Sequence, residues 1–300
     1  NKGLTNQGYP SDRIVTPIII NGDMSVAQRG TSATGKTSDG YYTVDRYQFA
    51  ISSLGTWTFT QSTDVPSGQG FAYSQKADCT TADGSPSAGD RIFYRQSIEG
   101  QNLQLLKKGT SSAEKFTISF WVRSNKTGTY ILELYDHDNS RHINKSYSIS
   151  SADTWEKKII VIDGDTTGAF TNDANLSLHV AWWLGAGSTY TSGSLQTSWG
   201  SSTSANRQLE VGEFDTNTIP DFPFESFENN IRKCQRYFLR TYRSASGDYH
   251  CYPAKGQGSD AARFNFYLNV PVRATPSISQ SGNWRLFGDS ALIGNTSNTP

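Results

Sequence analysis

Four side chains of the kinds that hold polar ligands fall close together in the chain: Trp121, Arg123, Tyr135 and His137. A sugar ring asks for an aromatic platform under its apolar face and for polar groups at its hydroxyls. These four residues supply both. Tyr190 and Trp199, in a Gly/Ser/Thr-rich stretch, offer a second platform. Trp121 and Tyr135 could equally pack beneath a neighbouring loop or subunit, and the residues alone leave both readings open.

Hydrolytic chemistry asks for something else. A glycosidase needs two carboxylates at a set separation across a cleft. Glu133 and Asp136 fall on opposite faces of one predicted strand, and Glu99, Glu210 and Glu225 show no pairing. His137, His142, His179 and His250 are scattered, without HExxH spacing. No GxSxG elbow is present. A non-enzymatic chain with no catalytic residue is therefore expected. Asp136-His137-Asp138-Asn139 alternates oxygen donors as calcium loops do, but it lacks EF-hand spacing and the closing Glu. A solvated strand end is expected there, and no metal or cofactor.

The stretch Phe116–Asp138 must position the first group. Phe116, Ile118, Phe120 and Val122 share one face by strand periodicity, and Tyr130, Leu132 and Leu134 continue it. Asn125-Lys126-Thr127-Gly128 has turn chemistry. The pattern predicts a hairpin with a core face, the opposite face carrying Trp121, Arg123, Glu133, Tyr135 and His137.

The composition agrees with strands. Only 35% of the 300 residues are hydrophobic, yet aromatics reach 12%. Low apolar content with many aromatics suits short, half-buried strands better than amphipathic helices. Lys+Arg and Asp+Glu both number 27, so no net field recruits nucleic acid or an anionic membrane. No apolar run reaches membrane-spanning length, so neither nucleic acid nor membrane insertion is expected. Cys79, Cys234 and Cys251 form no regular framework and read as reduced, buried or half-buried thiols; a Cys234–Cys251 bridge stays open.

Residues 1–16 read as a linker or leader. Strands are expected at Ile18–Ile20, Tyr41–Ile51, Thr56–Gln61, Gly70–Ala77, Arg91–Ile98, Arg141–Ile149, Trp155–Ile162, Leu176–Leu184 and Gln208–Phe214, and a helical turn within Glu99–Leu106. In Leu176–Leu184, Trp182 falls with the core residues while His179 and Trp183 face the other way. Phe227, Ile231 and Cys234 recur at helical spacing and predict one helix over Glu225–Cys234. Further strands are expected at Gln235–Thr241, Ala262–Val270 and Ser277–Ser279, with a polar, unstructured tail after about Leu292. The fold class is all-β: a jelly-roll β-sandwich over 17–215, a junction with the helix over 216–235, and a smaller all-β domain over 236–300.

Several segments taken in order, IIINGDMSVAQRG, YYTVDRYQF, YRQSIEGQNLQLLKKG with FTISFWVRSNKTGTY, and QLEVG…FPFESFENNIRKCQRYF, resemble a recurrent module of tailed-phage virion proteins, notably marine ones, described as tail-fibre-like or carbohydrate-binding-module-like. The likeness runs over about residues 17–240; FDTNTIPD is an insertion relative to the pattern. The resemblance implies a galactose-binding-like jelly roll on a virus particle, in a fibre or appendage contacting host surface glycans and other virion proteins. Fibre architecture implies a homo-oligomer, with a trimer expected. Asp23 matches only loosely an acidic residue that holds structural calcium in similar jelly rolls. A capsid decoration or adaptor without ligand, and a secreted carbohydrate-binding module of a polysaccharide-degrading enzyme, are the alternatives.

Overall fold

Alternating apolar residues need a second layer to bury against. The computed structural model describes residues 17–206 and 224–239, with short pieces at 254–256, 262–264, 271–274, 284–288 and 291–296. The strands of the first unit are β1 (Ser32–Lys36), β2 (Tyr47–Ser52), β3 (Thr56–Ser62), β4 (Ser74–Thr81), β5 (Arg91–Glu99), β6 (Phe116–Val122), β7 (Gly128–Asp136), β8 (Arg141–Ile149), β9 (Glu156–Ile162), β10 (Leu176–Ala186) and β11 (Gly200–Ser201). The helices are the single-turn α1 (Ser188–Thr191) and α2 (Phe227–Gln235). The body is all-β with a short helix, as the composition and periodicity predict.

A six-stranded antiparallel sheet runs in the order β11-β8-β7-β10-β5-β2, beside a β6-β9 pair and a three-stranded β1-β3-β4 sheet. The partners nest, β5 with β10, β6 with β9 and β7 with β8, as in a hairpin rolled on itself. Leu132, Leu134, Ile143, Leu178 and Val180 of the large sheet share one core with Ile118, Phe120, Ile160 and Ile162 of the β6-β9 pair. Each fully buried aliphatic side chain in that layer stabilises by roughly 1.5–3 kcal/mol. Phe59 of β3 stacks on Phe49 of β2, joining the three-stranded sheet to the large one.

The expected Phe116–Asp138 hairpin does not form. β6 pairs with β9 and β7 pairs with β8 and β10, so the two halves lie in different sheets. Their apolar faces meet across the core. Alternation fixes which face of a strand is buried; it does not name the strand's partner.

Other differences are local. Ile18–Ile20 is a bend and not a strand; Ile18 and Ile19 still pack on the core, and the buried Gln96 side chain bonds both the N–H and the C=O of Ile20 at 2.8 Å each. That amide replaces a neighbouring strand. Ser32–Lys36, where no strand was expected, forms β1. Glu99–Leu106 forms two short 3₁₀ turns that anchor the buried Leu103 and Leu106.

Helix α2 begins at Ser226, whose hydroxyl accepts the Asn229 N–H at 3.3 Å. Glu228 in its first turn and Arg232 and Lys233 in its last suit the helix dipole. It belongs to the unit spanning Asn1–Cys251, and Tyr252–Pro300 forms a second unit. The second unit contains the hairpin of β12 (Ala254–Gly256) with β13 (Ala262–Phe264), and that of β14 (Trp284–Gly288) with β15 (Ala291–Thr296), the latter in place of the unstructured tail. The linker 1–16, the strand Gln208–Phe214, the insertion FDTNTIPD and Ser277–Ser279 lie outside the described residues, as does the end of Gln235–Thr241, which begins as the end of α2.

Candidate functional site

The outer face of the six-stranded sheet carries the polar chemistry. Directly paired residues share a face, so register places His142, Tyr135, His179 and Ser97 in one row. Asn144, Glu133, Ala181, Arg95 and Gln48 form the next row, and Ile131, Trp183, Phe93 and Ala50 a third.

Part of this face is roofed. The chain beyond β10 folds back over it, packing Tyr190 on Trp183 at 5.3 Å and adding Leu195 to the cluster around Ile131 and Phe93. Under that roof the buried Glu133 accepts the Trp183 indole N–H at 2.9 Å and lies 3.3 Å from His142 Nδ1. The rest of the face is open: His137 is exposed, and Tyr135, Arg95 and Gln48 are half-buried.

In the open part His137 Nε2 lies 2.9 Å from His179 Nδ1, and Arg95 NH1 lies 3.5 Å from the same Nδ1. A guanidinium only donates, so Nδ1 of His179 is the acceptor and its proton sits on Nε2. His137 then donates through Nε2. Burial first, then the Arg95 charge, then His137, push the His179 imidazole down to about 2. His137 is lowered too, by burial and then Arg95. Both rings are thus neutral near pH 7. His137 stands edge-on to Tyr135 at 4.5 Å, and Arg95 Nε donates to Gln48 Oε1 at 2.8 Å. One aromatic face, one cation and several neutral polar groups meet here.

No family model matches the chain, and no curated protein matches it. Among solved structures, the chain is similar to the enzymatically active domain of tailspike protein 4 of bacteriophage CBA120, at 19% identity and a TM-score of 0.30, over 46% of this chain. The chain spans 17% of that one's length. The expectation of a non-enzymatic chain is corrected here, because the matched structure is an enzymatically active domain. Among the described residues no helix is long and apolar enough to cross a membrane.

The residues singled out from sequence do not form one site. Tyr135 and His137 do come together. Trp121 lies on the other sheet, half-buried and opposite Lys157, and the exposed Arg123 pairs with Asp64 and, at 3.5 Å, with Asp153. Tyr190 is buried and accepts a bond from Arg91 at 2.8 Å. Trp199 packs against the inter-sheet core and donates its indole N–H to the Asp163 carbonyl at 2.8 Å. Both loop aromatics therefore hold the loop down and form no second platform. Arg95, Gln48 and His179 were not singled out. Their alternation with core residues was readable, but their meeting depends on register between distant strands.

Within Asp136–Asn139, His137 and Asp138 are solvated as expected, but Asp136 is not. Asp136 is fully buried, and its Oδ2 lies 2.6 Å from Lys108 Nζ. That buried ammonium also meets Asp165 at 3.1 Å and the carbonyls of Thr167 and Gly168 at 2.9 and 2.6 Å. Burial alone would raise the Asp165 carboxyl, but bonds from Arg141, the Thr167 N–H and Lys108 outweigh it and hold it below the usual range. Gly168 takes φ +70, and a Cβ there would meet the Asn139 side chain at 2.4 Å, so the cage needs glycine at that position.

Proposed function

We propose that the chain is part of a fibre or surface appendage of a tailed-phage virion, and that it contacts host surface glycans through the open part of the large sheet's outer face. The observation that carries the glycan reading is the cluster of Tyr135, His137, Arg95 and Gln48 on the uncovered part of a sheet whose other face is core. Half-exposed aromatics beside fixed hydrogen-bonding groups suit a sugar ring and its hydroxyls. The sheet holds Tyr135, Arg95 and Gln48 without a cost in loop ordering, and His137, just past β7, is fixed by its N–H bond to the Ser177 carbonyl at 2.8 Å. The resemblance over residues 17–240 supports the virion reading, and fibre architecture supports a homo-oligomer, a trimer by expectation.

Retention of the full chain on immobilised host-envelope glycans tests the binding half. Tyr135→Ala and His137→Ala should each weaken retention while the chain stays folded; unchanged retention in both overturns the assignment of this face. Antibody against the chain, applied to purified particles, tests the virion half: label on an appendage supports it, and unlabelled particles overturn it.

A further inference from the structure

Among the described residues, Arg95 has no carboxylate as an ion-pair partner. Its Nε bonds the neutral Gln48, and its NH1 faces the neutral His179. The carboxylates whose charge reaches it are committed elsewhere: Glu133 to Trp183 and His142, and Asp39 to the Ile51 N–H at 2.7 Å. Half-buried guanidinium groups are normally matched by an anion, because removing the charge from water is costly unless it is paired. Here the planar fork sits beside an exposed imidazole and the Tyr135 ring on an open surface.

We propose that this face takes an acidic sugar, with Arg95 paired to its carboxylate or sulfate, Gln48 fixing the guanidinium plane, and Tyr135 with His137 bordering the ring. The inference rests on the glycan reading of the same face and names its ligand class. Guanidinium meets either anion with two parallel N–H bonds, so the shared chemistry is a planar or tetrahedral oxyanion on the sugar. The chain's zero net charge makes this a local attraction and not a general affinity for polyanions.

The test compares retention of the full chain on polygalacturonate, dextran sulfate and neutral dextran, alongside host-envelope glycans. Retention on one or both acidic polymers above dextran is expected, falling as salt is raised; which polymer retains it separates carboxylate from sulfate. Arg95→Gln should lower that retention by at least about tenfold, the size of a charged hydrogen bond, and Arg95→Lys should restore part of it. Arg123→Gln, on the other sheet, should leave it unchanged. Should Arg95→Gln fail to fold, competition by free galacturonate or sulfate against the unsubstituted chain gives the same answer. Retention by host glycans with no preference for acidic polymers, or a folded Arg95→Gln that binds as before, overturns the inference and leaves the glycan reading standing. Retention by none of the surfaces overturns both.

Discussion

His137 and His179 meet edge to face, with Nε2 of the first 2.9 Å from Nδ1 of the second. Each ring holds the other, and burial, then the nearby Arg95 charge, keeps both neutral. An imidazole pair is the part of this face most sensitive to pH, and the sign of that sensitivity follows from the geometry.

His179 is depressed in the folded state to about 2 by burial, Arg95 and His137, whereas an unfolded histidine titrates near 6.5. The unfolded chain therefore takes up a proton first as pH falls. Stability is full above pH ~6.5 and is lost below it, at about 1.4 kcal/mol per pH unit for this one group. His137 adds in the same direction, offset in part by the charges of Asp136, Asp138 and Glu133 around it. Urea unfolding between pH 7 and 5 should show this loss, and His179→Gln should flatten it. An unchanged slope in the variant would remove His179 as its source.

Lys108 is the second charged element held out of water. Replacing it with Met leaves Asp136 and Asp165 buried and facing each other, with only Arg141 still paired to Asp165. Removing one partner of such a buried set costs about 3–5 kcal/mol. Adding Asp136→Asn to Lys108→Met should recover part of the loss, because it removes the orphaned charge. Chemical denaturation checks both; a loss below about 1 kcal/mol, the level of an exposed pair, would show that the cage is not closed.

These two clusters show what could and could not be read from the chain. Alternation in Leu176–Leu184 placed Leu178, Val180 and Trp182 on the core side and His179 and Trp183 on the other, and the structure has them there. Helical spacing and end charges located α2 within two residues. Partnership was not legible. Arg95, Gln48, Tyr135 and His179 come from four strands, β5, β2, β7 and β10, and only the nested order of the sheet brings them together. Asp136 read as part of a solvated strand end because its partner Lys108 is distant in sequence and lies in a stretch of ordinary polar character.

The thiols give a simpler prediction. Cys79 is exposed on β4, contrary to the expectation of burial, and Cys234 is a free buried thiol; Cys251 lies outside the described residues. Burial first, then Asp45, push the Cys234 thiol up to about 12, so it holds its proton and is a poor nucleophile. In a Cys251→Ser background, maleimide should label Cys79 within the mixing time of slower reactions and reach Cys234 only on unfolding. Two thiols labelled at equal rates in the folded chain would contradict the packing of α2.

Trp121 and Tyr135 stand on separate sheets, so their substitutions should behave independently. Tyr135→Ala should weaken glycan retention, while Trp121→Ala should leave it unchanged and affect stability alone. Isothermal titration with the retained glycan and thermal unfolding of both variants and the double variant separate the two effects. A coupled loss of affinity in the double variant would place both aromatics at one ligand.

Asn230 closes the first unit from α2. Its Oδ1 accepts the Asn21 N–H at 3.0 Å, and its Nδ2 donates to Asp23 at 2.8 Å and reaches Asn21 Oδ1 and Ser25 Oγ at 3.3 and 3.2 Å. Asn21 in turn, in a left-handed conformation with φ 58, bonds Val26 and Asp45 through its amide. Asn230→Ala strands these buried groups and should cost about 1–3 kcal/mol. Asn230→Asp is the sharper test, because it keeps the shape and exchanges the donor for an acceptor facing the Asp23 oxygen. The new carboxyl can bond Asp23 only while it holds a proton, so that contact raises its pKa above the unfolded value. Its stabilising contact is then present at low pH and lost as pH rises through the raised pKa. Relative to the unsubstituted chain, Asn230→Asp should be less destabilised at pH 4 than at pH 7 in urea unfolding, and an equal deficit at both would mean that Asp23 is not the partner.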